Sequence, residues 1–124
     1  MEPIIIHETA KTPGIDFNAE NGKIEIKGRS IPEDPFSFYK PLLGWLERYA
    51  TEPKSATVVN IQLEYFNTSS SKCILDVFKK IEDIHKAGSE VTINWYYEED
   101  DEDIYETGQD YESMVNIPFK MIEI

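Results

Sequence analysis

Between Thr57 and Tyr65 the chain alternates apolar and polar residues in a way that only an extended strand satisfies. Val59, Ile61, Leu63 and Tyr65 share one side; Asn60, Gln62 and Glu64 share the other, with Val58 the one apolar exception. A strand buried on both faces reads as a near-continuous run of Val, Ile and Leu. This one does not, so its sheet should keep one face open to water. Val91 to Tyr97 repeats the pattern, with Val91, Ile93, Trp95 and Tyr97 set against Thr92, Asn94 and Tyr96. Between the two strands, from about Lys72 to Ala87, a helical stripe runs through Ile74, Val77, Phe78, Ile81, Ile84 and His85, and Gly88 is placed to stop it. Strand, helix, strand implies a right-handed parallel crossover. The polar strand faces then gather the helices on one side.

The other elements fit around that unit. Ile4 to His7 reads as a short first strand. Ile15–Asn18 and Lys23–Lys27 form a hairpin across Ala19–Gly22, with Asn21-Gly22 supplying positive φ angles, and Gly28 to Glu33 is a connection. Asp34 and Pro35 suit a cap and a first helical position. Pro41 would remove a hydrogen bond deep in a helix. The expectation is therefore a short turn near Phe36, then a helix with Pro41 in or near its first turn. Phe38, Leu42, Leu43, Trp45, Leu46 and Tyr49 would form its apolar face, and Thr51-Glu52-Pro53 would end it. The six acids from Glu98 to Asp103 lead into a third helix weakened by Gly108, and Ile117–Ile124 closes as an alternating strand. The fold class is α/β: one domain over residues 1–124, a mixed β-sheet with helices packed on one face.

The segment Phe66-Asn67-Thr68-Ser69-Ser70-Ser71-Lys72 joins the central strand to the central helix. A hydroxyl or amide oxygen there satisfies one of the N–H groups that a first helical turn leaves unpaired. The same turn and the helix dipole also favour an anion, including a phosphate carried by one of those hydroxyls. A polar loop with redundant caps is the plain alternative.

Other chemistry is poorly supplied. Cys73 is the single cysteine, so there is no internal disulfide and no cysteine metal cage. At a helix start its thiolate could be favoured, but no base accompanies it in sequence, and packing is the simpler role. His85 lies near the far end of its helix, about 20 Å from the serine cluster at 1.5 Å per residue. His7 is not excluded by spacing, but there is no G-x-S-x-G elbow. The acidic run lacks the glycine of a calcium loop and reads as a solvated helix start, with no metal bound. There is no glycine-rich phosphate loop, so no nucleotide or other cofactor is expected. A formal charge of -12 argues against nucleic acid and anionic membrane as partners. The first residues lack a signal peptide and no apolar run approaches a membrane span, so no membrane insertion is expected and a cytoplasmic location is the simplest.

Tyr65-Phe66-Asn67-Thr68-Ser69-Ser70-Ser71-Lys72, at the end of a central strand in a chain of this size, resembles the SiaC family of small bacterial regulatory phosphoproteins. That family is similar in fold to STAS domains of the anti-sigma-factor-antagonist type. Phe38 to Glu47 and Ile93 to Tyr97 also read as family stretches, so the likeness covers the whole chain. The matching STAS turn is Asp-Ser-Ser-Gly with its first serine phosphorylated. Here Asn67 stands for the Asp, Thr68 for the phosphoacceptor and Ser69 for the second serine. Ser70 replaces the glycine, so the likeness to sigma-factor antagonists proper is looser than to the SiaC type.

The resemblance implies a STAS-like fold and a non-catalytic adaptor in a partner-switching system. A cognate serine/threonine kinase would phosphorylate Thr68 and a metal-dependent serine/threonine phosphatase would reverse it. The unphosphorylated form would bind and activate a diguanylate cyclase, raising cyclic di-GMP and favouring biofilm. The expected footprint is Asn67, Ser69, Ser70, Lys72 and Asp76 around Thr68. The alternatives are an anti-sigma-factor antagonist, which a neighbouring cyclase gene would argue against, and a small serine-dependent enzyme, which substrate profiling would reveal.

Overall fold

The computed structural model describes all residues from Met1 to Ile124. Six strands form one sheet in the order β1-β2-β3-β4-β5-β6, the order in which they occur along the chain. β1 (Ile4–Ile6), β2 (Gly14–Asn18) and β3 (Lys23–Ser30) pair antiparallel. β4 (Ala56–Phe66), β5 (Glu90–Tyr97) and β6 (Phe119–Glu123) then add in parallel. Each parallel step is crossed by one helix: α1 (Pro35–Thr51), α2 (Thr68–Lys86) and α3 (Glu102–Met114). Three right-handed crossovers stepping in one direction put all three helices on the same face. No helix is long and apolar enough to cross a membrane.

The core lies between that helix layer and the inward strand residues. Phe17, Ile24, Ile26, Val59, Ile61, Ile93 and Trp95 are fully covered, as are Tyr39, Leu42 and Leu46 of α1 and Val77, Phe78 and Ile81 of α2. Trp45 stacks on Tyr49 with centroids 5.3 Å apart, while Phe78, Trp95, Tyr111 and Phe119 form a second aromatic cluster. On the other face Asn60 and Asn94 are hydrogen-bonded at 2.9 Å, and Lys23 bridges Asp16 at 3.0 Å. The sheet is open on one side, as the alternation of β4 and β5 predicts.

Five local features differ from the sequence reading. In the hairpin, Asn18 pairs with Lys23 across the expected four-residue loop, but only Gly22 has positive φ, at 63°, and Asn21 does not. β3 continues to Ser30 instead of ending at Lys27, because β4 is long enough to pair with it that far. α1 is one helix from Pro35, not a turn followed by a helix. Asp34 caps it, accepting from the Ser37 N–H at 3.2 Å, and Pro41 stands on the exposed side where the loss of one bond is least costly. The inward residues of its first turns are Pro35 and Tyr39, with Phe38 only half-buried. His85, expected on the stripe of α2, is exposed, its Nδ1 3.3 Å from the Ser89 carbonyl.

The fifth difference is Tyr65, expected to be buried and in fact 50% exposed. Gly28 pairs with Leu63 but Arg29 pairs with Tyr65, so Glu64 has no partner across the ladder. One extra residue in one strand shifts the side-chain alternation by one place. Tyr65 and Arg29 are therefore turned outward together, the guanidinium 5.8 Å from the ring centroid. Phe66 turns inward opposite the buried Ser30.

Candidate functional site

Beyond the Glu64 bulge, β4 ends at Phe66 and α2 begins at Thr68. Asn67 is extended, with φ -83° and ψ 170°, and its side-chain oxygen accepts from the Ser70 N–H at 2.9 Å. Asn67 is thus the N-cap and Thr68 the first helical residue, so α2 starts four residues earlier than its apolar stripe suggests. The Asn67 N–H donates to the Ser30 carbonyl at 3.3 Å, tying the cap to the end of β3.

The four hydroxyls of the turn divide into two pairs. Ser70 is fully buried; its Oγ accepts from Ser30 Oγ at 3.1 Å, and Ser30 Oγ lies 2.7 Å from the Tyr39 hydroxyl. Burial pushes the Tyr39 phenol up to about 12, so it stays a neutral hydrogen-bonding group. Ser71 is half-buried, its Oγ donating to the Thr68 carbonyl at 2.6 Å, and its own carbonyl accepts from the Tyr111 hydroxyl of α3 at 2.9 Å. Thr68 and Ser69 are exposed and their hydroxyls make no hydrogen bond within the fold.

Ser70 was expected in the partner footprint. Its side chain instead points inward and fastens α2 to β3 and α1, so it is not available for docking. Asn67 and Asp76 are half-buried, while Ser69 and Lys72 are exposed. Cys73 is buried, and burial raises its thiol pKa, against a reactive thiolate at this helix start. The clamp residues Ser30, Tyr39 and Tyr111 were not visible in the sequence as parts of this site. Each is distant along the chain, and a polar atom on an apolar stripe, as in Tyr39, was the one signal of a buried partner.

The rim around the turn is organised by the parallel crossovers, which bring the N-termini of α1, α2 and α3 to one edge of the sheet. Asp34, Asn67 and Asp101 cap them; Asp101 accepts from the Ile104 N–H at 3.0 Å. The acidic run shares this edge with the end of β4, because Glu64, Glu98 and Asp101 line one groove of about 220 Å³. α3 has Glu102 and Asp103 in its first turn, whereas α2 has no acid there. A phosphate on Thr68 would thus meet the positive end of a helix dipole not already offset by carboxylates.

Because Asn67 holds the cap, Asn67→Ala should lower stability by about 0.5–2 kcal/mol. Thr68→Ala, at an exposed unbonded hydroxyl, should stay within about 0.5 kcal/mol of wild type. Denaturant unfolding of both variants checks this, and a large loss from Thr68→Ala would make that hydroxyl structural.

The model of the SiaC family of regulatory phosphoproteins matches residues 6–124. An uncharacterized protein of Pseudomonas aeruginosa (strain UCBPP-PA14) is 27% identical over 119 residues, which is 96% of this chain and 94% of that protein. The solved structure of SiaC of Pseudomonas aeruginosa superposes with a TM-score of 0.90 at 25% identity, covering both chains completely. A chain in the crystal structure of the diguanylate cyclase SiaD in complex with its activator SiaC, from the same organism, matches at TM-score 0.90 and 26% identity, over 98% of this chain and 99% of that one.

Proposed function

This chain belongs to the SiaC family of regulatory phosphoproteins, and from that premise we propose that its unphosphorylated form binds and activates a diguanylate cyclase. Phosphorylation of Thr68 by a cognate serine/threonine kinase turns the interaction off, and a metal-dependent serine/threonine phosphatase restores it. The chain acts as an adaptor and carries out no chemistry of its own. The cyclase is suggested by the relative whose complex with SiaD has been solved.

The observation that carries the Thr68 assignment is the division of the turn. A kinase needs a hydroxyl it can reach and draw into its own active site. Ser70 is buried and Ser71 is committed to a carbonyl, which leaves Thr68 and Ser69. The family motif favours Thr68 of the two. The helix start below it is held by Asn67, Ser70 and Tyr111, so modification need not unfold the turn.

Phosphopeptide mapping after incubation with the cognate kinase tests this. Thr68 should carry most of the phosphate, Ser69 a minor share, and Ser70 and Ser71 almost none. Full labelling of a Thr68→Ala variant on Ser70 or Ser71 would overturn the assignment.

A further inference from the structure

β3 to β6 run parallel, and parallel strands nearly always belong to sheets covered on both faces. Here the three helices cover one face and leave the other bare. Large apolar side chains stand on that bare face: Ile5 is 64% exposed, Tyr65 50% and Val58 44%. Val58, the one apolar interruption on the polar side of β4, lies between Lys23 of β3 and Thr92 of β5. The polar groups around it are already paired within the chain. Lys23 bridges Asp16 at 3.0 Å and Glu25 at 3.6 Å, and Asn60 accepts from Asn94 at 2.9 Å. Such a face can be covered without stranding a lone charge.

Charge says what covers it. The chain carries -12, yet the bare face is balanced: Asp16, Glu25, Glu64 and Glu90 stand against Lys23, Lys27, Arg29 and Lys120. The excess of negative charge therefore lies on other surfaces, and here two copies of the chain meet without that repulsion. The face is also laid out to complement itself. Strand pairing sets Ile5, Asp16, Glu25, Asn60, Asn94 and Lys120 in one row across all six strands. Acids occupy the β2–β3 side of the row, carboxamides follow, and the lysine stands at the β6 end. The side-chain N–H groups of Asn60 donate to nothing within the chain.

We propose that this face receives the same face of a second copy, sheet packed on sheet about a two-fold axis parallel to the strands. That rotation lays β6 over β1, and β4 over β3, of the other copy. Lys120 of each copy then meets Asp16 of the other, Asn60 donates to the Glu25 carboxylate opposite, and the two Val58 side chains lie beside the axis. Every contact occurs twice, as an isologous interface requires. Six strands about 4.8 Å apart and about 20 Å long make a plate of roughly 500 Å² before side-chain relief is added. That approaches the roughly 600–1,000 Å² per partner of a specific interface. The helices stay outside, so the dimer presents two serine-rich turns at the same end.

Sedimentation equilibrium of the full chain from about 1 to about 500 µM tests this, with a thermal melt of every variant. Wild type should show a monomer–dimer equilibrium with a Kd of about 100 µM or tighter, in keeping with a small, polar interface. Val58→Lys, which sets two ammonium groups beside the axis, should weaken it at least about thirtyfold. Asn60→Asp, which turns a donor into a second carboxylate facing Glu25, should weaken it about tenfold. Both variants should still melt cooperatively, since Val58 is exposed and aspartate has the shape of asparagine. Wild type that stays monomeric at about 500 µM overturns the proposal. So does a dimer that Val58→Lys leaves within about threefold of wild type, since its contact must then lie elsewhere, such as the free edge of β6. Should Val58→Lys fail to melt cooperatively, Asn60→Asp decides by the same threefold limit.

Discussion

Phosphorylation of Thr68 is expected to weaken binding to the cyclase at least a hundredfold, about 2.7 kcal/mol. The phosphate adds roughly 1.5 to 2 negative charges at pH 7. Simple attraction does not give this sign, since the turn adjoins Lys72 and the net-positive α1 and α2 surface. In the free protein the phosphate is well accommodated: Thr68 is exposed, and it opens a helix whose first turn holds no acid. The penalty arises in the complex. A hydroxyl covered by a partner needs one or two hydrogen bonds, whereas a phosphate covered without partners loses its water at a cost of several kcal/mol. Free-state stabilisation and bound-state desolvation therefore act in the same direction.

Thr68→Asp should reproduce the effect only in part, having less charge and less bulk. Titration of unmodified, phosphorylated and Thr68→Asp protein at two salt concentrations separates the contributions. The through-space part should shrink with salt, and the desolvation part should persist. A change of less than about threefold on phosphorylation at both salts means that Thr68 is not the switch.

What the sequence revealed, and what it hid, follows from the range of the interactions involved. The one-sided sheet was legible because β4 and β5 carry their alternation within single strands, and α2 and Gly88 were legible for the same local reason. Tyr65 was misplaced because the bulge at Glu64 exists only in the pairing of β3 with β4. No pattern internal to one strand announces an extra residue. The start of α2 was placed late because its first turn is polar outside and fastened inside by serine, so the apolar stripe begins only at Cys73 and Ile74. Thr68 as the proposed acceptor comes from the family motif. The reason Ser70 cannot dock lies in Ser30 and Tyr39, 40 and 31 positions away in sequence, and emerges only when α1 and β3 meet under the turn.

Gly108 was read as a weak point of α3, and the fold reverses that reading, so the two mid-helix glycines should respond to alanine with opposite signs. An ordinary mid-helix Gly→Ala change adds up to about 1 kcal/mol of stability, the result expected at Gly44. At Gly108 a Cβ would lie 2.5 Å from Trp95 Nε1, 2.6 Å from Trp95 Cδ1 and 2.7 Å from Met121 Cε. Met121 is a flexible end and can move, but Trp95 cannot. It is fully buried, its indole N–H donates to the Ile104 carbonyl at 3.0 Å, and Phe78, Tyr111 and Phe119 surround it. α3 must then lift off the sheet, and overpacking of this kind costs about 1–3 kcal/mol. Trp95→Ala should cost more, about 3–5 kcal/mol, a large share of the roughly 5–15 kcal/mol that holds a domain folded. It should also loosen Tyr111, which joins α3 to the serine-rich turn through the Ser71 carbonyl. Urea unfolding of Gly44→Ala, Gly108→Ala and Trp95→Ala measures all three. A Gly108→Ala protein more stable than wild type would show that α3 does not pack on Trp95 in solution.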